Sequence, residues 1–353
     1  RQMCIRDSIT LSYRLSTTRQ HTNSLTEYTD KVNCEFPYSA IGNNSKLTFT
    51  EHTGQADWSR PYGEHHKLDV GVKAIFRRNH STSLQDYRDV AQYETEFTHH
   101  TTVAAVYGDY RLMLGKWNFR AGMRYEYSYL SATFIHQTNS DHPDFASKLN
   151  DWVPSVGMSY NLTDAITLKA SYNRTIHRPG ISYLDPARSI TPTTVSYGNP
   201  DLESEVYNNI TAEMSMYTNK FNLSFYLGGT IVNNALSENK WVEDDISYST
   251  YANIGKQRSF ISSFYGQWSI TEKTSLLVNL SAGYNHYRNP DKSLKGWWWN
   301  PFVRVVQKLP WELEPSACLW YWSGSVGSPY SETKMLGIWG MRSVSYTHLT
   351  LPT

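Results

Sequence analysis

From Trp117 to Tyr127 the chain reads W-N-F-R-A-G-M-R-Y-E-Y, and this alternation restricts what the segment can become. Trp117, Phe119, Ala121, Met123, Tyr125 and Tyr127 are apolar, while Asn118, Arg120, Gly122, Arg124 and Glu126 are polar or glycine. Neighbouring side chains on a strand point to opposite faces. One face of this strand is therefore oily and the other wet. The run also matches the roughly 9–11 residues that a tilted strand needs to cross a bilayer.

The same grammar recurs along the chain. Ile166, Leu168, Ala170 and Tyr172 share a face, opposite Thr167, Lys169, Ser171 and Asn173. Pro154, Val156, Met158, Tyr160 and Leu162 alternate with Ser155, Gly157, Ser159 and Asn161. Phe221, Leu223, Phe225 and Leu227 form another oily face, as do Leu276, Val278, Leu280, Ala282 and Tyr284. Leu68, Val70, Val72, Ala74 and Phe76 follow the pattern, with Ile75 as a misfit. No comparable stretch has helical periodicity.

Mean hydropathy is −0.55 and looks soluble. A barrel wall is apolar only at every second residue, so an average misses it. The 26 Tyr and 12 Trp suit aromatic girdles at a membrane interface, and equally a carbohydrate-stacking surface. A net charge of +1 over 353 residues points to no nucleic acid or other strongly charged partner. Cys4, Cys34 and Cys318 show no metal-binding spacing; Cys4 lies in the suspect N-terminal segment, and Cys34 and Cys318 read as unpaired thiols.

Tight turns are expected near Leu114–Lys116, Leu162–Ala165, Thr218–Lys220, Thr271–Thr274 and Lys308–Trp311. Longer polar links are expected near Ser131–Asn150, Arg178–Glu203, Ala235–Ser247 and Tyr287–Lys295. Short turns on the periplasmic side and long loops outside are the habit of outer-membrane barrels. Tyr248–Ile270 should project above the membrane on the outer side. The fold class is all-β: an antiparallel, up-and-down transmembrane β-barrel of about thirteen strands, with one more near Ile9–Thr18. Arg19–Asn44 gives no clear strand signal.

An open sheet edge is not tolerated in hydrocarbon, so further strands are expected to complete the barrel. Residues 1–8 and 345–353 break the strand grammar and resemble translated adapter sequence. They are expected to be non-native tails around a partial barrel at 9–344, with the plug and last strands outside the chain.

Asn173–Glu205 reads NRTIHRPGISYLDPARSITPTTVSYGNPDLESE. Its Arg178-Pro179, Leu184-Asp185-Pro186 and Gly198-Asn199-Pro200-Asp201-Leu202, followed by Glu205, resemble a motif series of TonB-dependent receptors, in particular their outer-membrane β-barrel subgroup. Glu203 and Ser204 stand where that series commonly has Lys-Pro. Ala121–Glu126 resembles the G-L-R-Y-E strand of this family, and Tyr251–Gly255 (YANIG) its N-x-G strand. Trp152–Tyr160 and Leu168–Pro179 follow its order as well. The likeness covers roughly residues 46–342. It implies a barrel of about 22 strands, a plug inside it, and uptake of a scarce nutrient driven by the TonB complex. The nutrient could be an iron chelate, a cobalamin-like cofactor, a glycan or a peptide. Partners implied are outer-membrane lipid, TonB through a plug absent from this sequence, and a surface lipoprotein. The implied location is the bacterial outer membrane. No cofactor and no enzymatic activity are expected. Two alternatives are a non-transporting anchor or adhesin barrel and a soluble all-β carbohydrate-binding protein.

Proline lacks an amide donor, so Pro179, Pro186, Pro192 and Pro200 belong to a structured outer loop between two strands. The motif residues are expected mainly to shape that loop. Candidate ligand contacts are Tyr183, Tyr197, Trp241, Trp297 and Trp299. Trp297-Trp298-Trp299 and Trp320-Tyr321-Trp322 also fit an interfacial belt. Glu243-Asp244-Asp245 reads as a solvated acidic tip without calcium-loop spacing. In His65-His66 and His99-His100, adjacent residues face opposite ways, which disfavours a metal clamp. Arg77-Arg78, Arg120 and Arg124 are expected to pair with carboxylates such as Glu126. No enzyme motif is present.

Overall fold

The computed structural model describes residues 7–29, 37–137, 144–184, 188–190, 193–310 and 313–345. Its elements are β1 (Ser8–Glu27), β2 (Ala40–Tyr62), β3 (His66–Tyr87), β4 (Ala91–Leu114), β5 (Trp117–Gln137), β6 (Phe145–Asn161), β7 (Ile166–His177), a single helical turn α1 (Ile181–Leu184), β8 (Ser189–Ile190), β9 (Thr194–Ser196), β10 (Glu205–Tyr217), β11 (Phe221–Glu243), β12 (Ile246–Ser269), β13 (Thr274–Arg288), β14 (Ser293–Gln307), β15 (Leu313–Trp322), β16 (Val326–Ser328), β17 (Ser331–Glu332) and β18 (Leu336–Ser345). Fourteen strands follow one another as an antiparallel path in the order β1 to β7, β10 to β15, β18. Among the described residues β1 and β18 are not paired with each other, so the sheet has two edges.

The inward and outward faces follow from register. On one face, Leu168, Met214, Phe225, Phe264 and Leu280 lie side by side across five strands. The row toward the outer end holds Ala170, Ala212, Leu227, Ser262 and Ala282, and the next holds Tyr172, Ile210, Gly229, Phe260 and Tyr284. Met214, Phe225, Phe260 and Leu280 are each about 40% exposed or more, which on a water-soluble surface would be a large apolar patch.

Aromatic pairs border this apolar zone at both levels. Trp117 stacks on Phe119 and lies 4.4 Å from Tyr160, and Phe221 stacks on Trp268, at the tight-turn end. Tyr125 packs on Trp152, and Tyr284 on Trp297, farther out. Phe260 and Trp268 are eight residues apart on β12. At strand rise and barrel tilt that is about 21 Å, close to the roughly 25 Å apolar band of an outer-membrane wall.

The opposite face is polar and ion-paired. Arg77 and Arg14 both bind Glu51, at 2.6 and 2.9 Å. Arg120 pairs with Asp109 at 2.5 Å, and Arg124 with Glu126. Arg77, Arg120 and Arg124 thus follow the sequence expectation, whereas Arg78 projects from the other face and has no ion pair among the described residues.

Strands on the outer side run farther than the sequence suggests. The expected link Ala235–Ser247 is a continuous hairpin whose two-residue tip, Asp244-Asp245, has positive φ at both positions (48° and 60°). That is the backbone of a type I′ turn, so the acidic tip has a conformational reason. The expected link Ser131–Asn150 shrinks similarly, because β5 continues to Gln137 and β6 starts at Phe145. The segment near Ile9–Thr18 is a full strand, and within Arg19–Asn44 β1 continues to Glu27 while β2 begins at Ala40. On the periplasmic side Leu114-Gly115-Lys116-Trp117 turns with φ +57° at Gly115, where any side chain would be strained.

Candidate functional site

The segment between β7 and β10 folds over the polar face at the outer mouth. Its first anchor is Arg178, which donates to Ser128 Oγ at 2.8 Å and forms an ion pair with Glu126, itself held by Arg124. Burial, with repulsion from Arg124 and Arg77, pushes the Arg178 guanidinium pKa down. The second anchor is apolar. Leu184 and Leu202, 0% and 1% exposed, pack with Leu130, Ala132, Phe145 and Leu149 of β5 and β6. An outward-folded loop would leave these wall residues as an oily patch on a polar face.

The third anchor explains the remaining motif residues. β11 has register shifts between Val232 and Ser237, which free backbone groups from the ladder. Glu205 accepts from the Leu236 amide at 2.6 Å, and Asn234 accepts from the Val206 amide at 3.0 Å while donating to Ser204 O at 2.7 Å. Asn253, within YANIG, binds both the amide and the carbonyl of Glu203 and also reaches Asn234 O. Gly255 sits against the bulge, where an added Cβ would come within 2.8 Å of Ala235 O. Asn199 caps its own turn by accepting from the Asp201 amide at 3.0 Å and donates to Tyr251 O at 2.9 Å. Pro179 is buried, and Pro179 and Pro200 lie outside the paired strands, whereas Asp185, Pro186 and Pro192 fall outside the described residues. Gly198 precedes the Asn199 turn.

The middle of the loop reaches both ways across the mouth. β9 lies parallel to β12, pairing Thr194–Ser196 with Ser247–Ser249. On the far side Tyr87 of β3 donates to Ile190 O at 2.9 Å. Tyr87 belongs to a file of edge-to-face rings that also includes Tyr28, Tyr38 and Tyr93.

Two aromatic groups result. Tyr183 meets Tyr251 edge-on at 4.6 Å. Burial, then the charge of Glu238, raises the Tyr251 phenol pKa, so it stays a neutral donor. Tyr197 meets Trp241 at 6.5 Å, Trp241 stacks on Tyr248 at 5.4 Å, and the Arg188 guanidinium lies 5.6 Å over the Tyr197 ring. Tyr183, Tyr197 and Trp241 are thus brought to one mouth. Trp297 and Trp299 are not: they project from the apolar face of β14, packed on Tyr284 and Tyr321. Trp298 points the other way, across Gly283. The adjacent histidines diverge in the same manner, His99 to the polar face and His100 to the other. Among the described residues no group of three or more His, Cys, Asp or Glu stands close enough to hold a metal ion.

Sequence reading alone does not find Tyr248, Arg188, Ser128 or Asn234. Ser128, Asn234 and Arg188 act through partners that only the folded loop supplies, and Tyr248 through Trp241, its cross-strand neighbour in the β11–β12 hairpin. The signals that were present were Asn253 and Gly255 of YANIG, whose role is to dock the loop.

Solved structures share this architecture. The unliganded ferric citrate transporter FecA is 12% identical with a TM-score of 0.70, over 97% of this chain and 52% of that one. The ferric yersiniabactin uptake receptor FyuA from Yersinia pestis is 13% identical with a TM-score of 0.67, over 94% and 50%. The ferric-catecholate import receptor Fiu from E. coli K12 is 15% identical with a TM-score of 0.63, over 96% and 55%. The likeness is one of fold, and the chain spans about half the length of these structures. No curated protein matches in sequence. Residues 6–341 match the outer membrane protein beta-barrel family. That match sets aside the soluble carbohydrate-binding alternative. The chain belongs to this family, as a stretch of barrel wall in the bacterial outer membrane.

Proposed function

We propose that the chain is part of the wall and mouth of a receptor that imports a scarce nutrient, with TonB acting through a plug segment outside this chain. The observation that carries this reading is the inward-folded loop, which narrows the mouth and brings Tyr183, Tyr197 and Arg188 there, Tyr197 against Trp241 of β11. A wall that served only as an anchor has no use for a loop fixed at three points over its own lumen. Stacking rings beside a guanidinium suit a planar or anionic cargo. Three structures with this fold carry ferric-chelate uptake in their names, so ferric chelates are the first class to test. Cobalamin-like cofactors, glycans and peptides are the other classes. The surface-lipoprotein partner has no support from these likenesses and is not proposed.

The test uses the full-length protein in detergent, titrated with one representative of each class. The reading expects one class to bind and Tyr197→Ala or Trp241→Ala to weaken it at least about tenfold, as loss of a ring contact at a binding hot spot does. Binding by no class, or binding indifferent to both substitutions, would support the anchor reading instead.

A further inference from the structure

The outer end of the membrane-facing wall carries a compact basic cluster that the import reading does not use. Arg258 of β12, His286 of β13 and Lys295 of β14 occupy one register row. Lys256 and Arg288 occupy the row above. All five share a face with Phe260, Tyr284 and Trp297, which form the row immediately below. Strands lie about 4.8 Å apart, so the three columns fit within about 10 Å. Lys256, Arg258, Arg288 and Lys295 are exposed.

This placement is unusual on chemical grounds. A cation beside hydrocarbon is costly, and a lumen would be the ordinary home for it. On the polar face Arg77, Arg120 and Arg124 find carboxylates. Among the described residues none of the five outward bases has an ion-pair partner. Asp291, on the adjoining β13–β14 connection, pairs with none of them. Arg258 is held in place by donating to the Val232 carbonyl at 2.8 Å and to Asn233 Oδ1 at 2.6 Å, and His286 is held by Ser293 at 2.9 Å. The result is a basic patch without carboxylate partners among the described residues, one row above an aromatic girdle, with Arg258 and His286 held in place.

We infer that this patch on β12–β14 binds the phosphate-bearing headgroup of an outer-leaflet lipid, whose acyl chains run down the apolar rows below. Guanidinium groups match phosphate geometry and charge. The aromatic row fixes the depth at which the headgroup sits. Phe264, Leu280 and Pro301, two rows beneath Phe260, continue the oily track for the chains. The inference rests on the outward face lying in lipid, and is independent of what the receptor imports.

The experiment measures binding of diphosphorylated lipid A, and of its dephosphorylated counterpart with the same chains, to the full-length protein in detergent by native mass spectrometry. The inference expects a clear preference for the phosphorylated lipid. A juxtamembrane cation contributes about fivefold to anionic-lipid binding, so the Arg258→Gln/Lys295→Gln pair should reduce that preference by about 25-fold. Heat-modifiable gel mobility checks that the variant is folded. Equal binding of the two lipids, or an unchanged preference in the folded variant, overturns the inference. Binding of inorganic phosphate alone at comparable concentration overturns the assignment to a lipid. Quenching of Trp297 and Trp299 by brominated lipid, measured against Trp→Phe controls in liposomes, separates the two claims. Quenching without phosphate preference removes only the headgroup site; absence of quenching removes the outward-face placement and the site with it.

Discussion

Leu202→Ala should release the inward loop without unfolding the wall. Leu202 is 1% exposed and packs in one cluster with Leu184, Leu130, Ala132, Phe145 and Leu149. Truncating a buried leucine costs about 2–5 kcal/mol, the range reflecting how far the cavity collapses. Here the lost contacts join a loop to a sheet that is separately hydrogen-bonded, so the cost falls on docking. Every 1.4 kcal/mol is tenfold, so the undocked fraction should rise by between about 30-fold and several thousandfold. Amide hydrogen exchange reads this directly. The amides of Tyr197, Asn199 and Glu203 are bonded to Ser249 O, Tyr183 O and Asn253 Oδ1 and report docking. Amides of β13, paired on both sides, report the wall. The reasoning predicts faster exchange at the first set and none at the second. A loop change below threefold, or equal acceleration in β13, would refute it. Leu184→Ala should behave alike, and the double variant should be non-additive because the two side chains share one cluster.

Phe225→Arg, on the middle row between the two aromatic girdles, should destabilise the folded protein in liposomes by about 2–4 kcal/mol, whereas Ser224→Arg on the polar face should cost far less; equal costs would contradict the face assignment. Gly283→Ala would put a Cβ 2.5 Å from Phe260 O and 2.6 Å from the Trp298 ring, so a loss of about 1–3 kcal/mol is expected in a denaturant titration. His99 is buried, which lowers its pKa from 6.5 to about 4, with Arg77 and His100 adding repulsion. The folded state therefore binds fewer protons than the unfolded one between these values. Stability from this residue is intact above pH 6.5 and falls as pH drops toward 4. His99→Gln should flatten that acid limb in denaturation midpoints taken at several pH values, and an unchanged limb would count against it.

Much of the wall was legible because a membrane imposes period two. Trp117–Tyr127 and Phe221–Leu227 alternate cleanly, and the register puts their oily residues on one face. Beyond the outer girdle the constraint disappears, because both faces of a projecting hairpin meet water. That is why Ala235–Ser247 reads as a link in sequence, yet its first part, through Glu243, forms the outer end of β11. The loop between β7 and β10 was legible as a motif, while its contacts were not. Arg178 finds Ser128 fifty residues away, and Glu203 finds Asn253 at the same separation. The outward basic cluster was invisible for a related reason: each strand contributes one or two bases, and only register assembles them.

The most direct test of the account is a nitroxide scan of residues 221–227 in the full-length protein reconstituted in liposomes. Labels at Phe221, Leu223, Phe225 and Leu227 should be accessible to oxygen and shielded from a water-soluble relaxant. Labels at Asn222, Ser224 and Tyr226 should show the reverse. A flat profile, or the opposite phase, would mean that hydrocarbon does not cover this face.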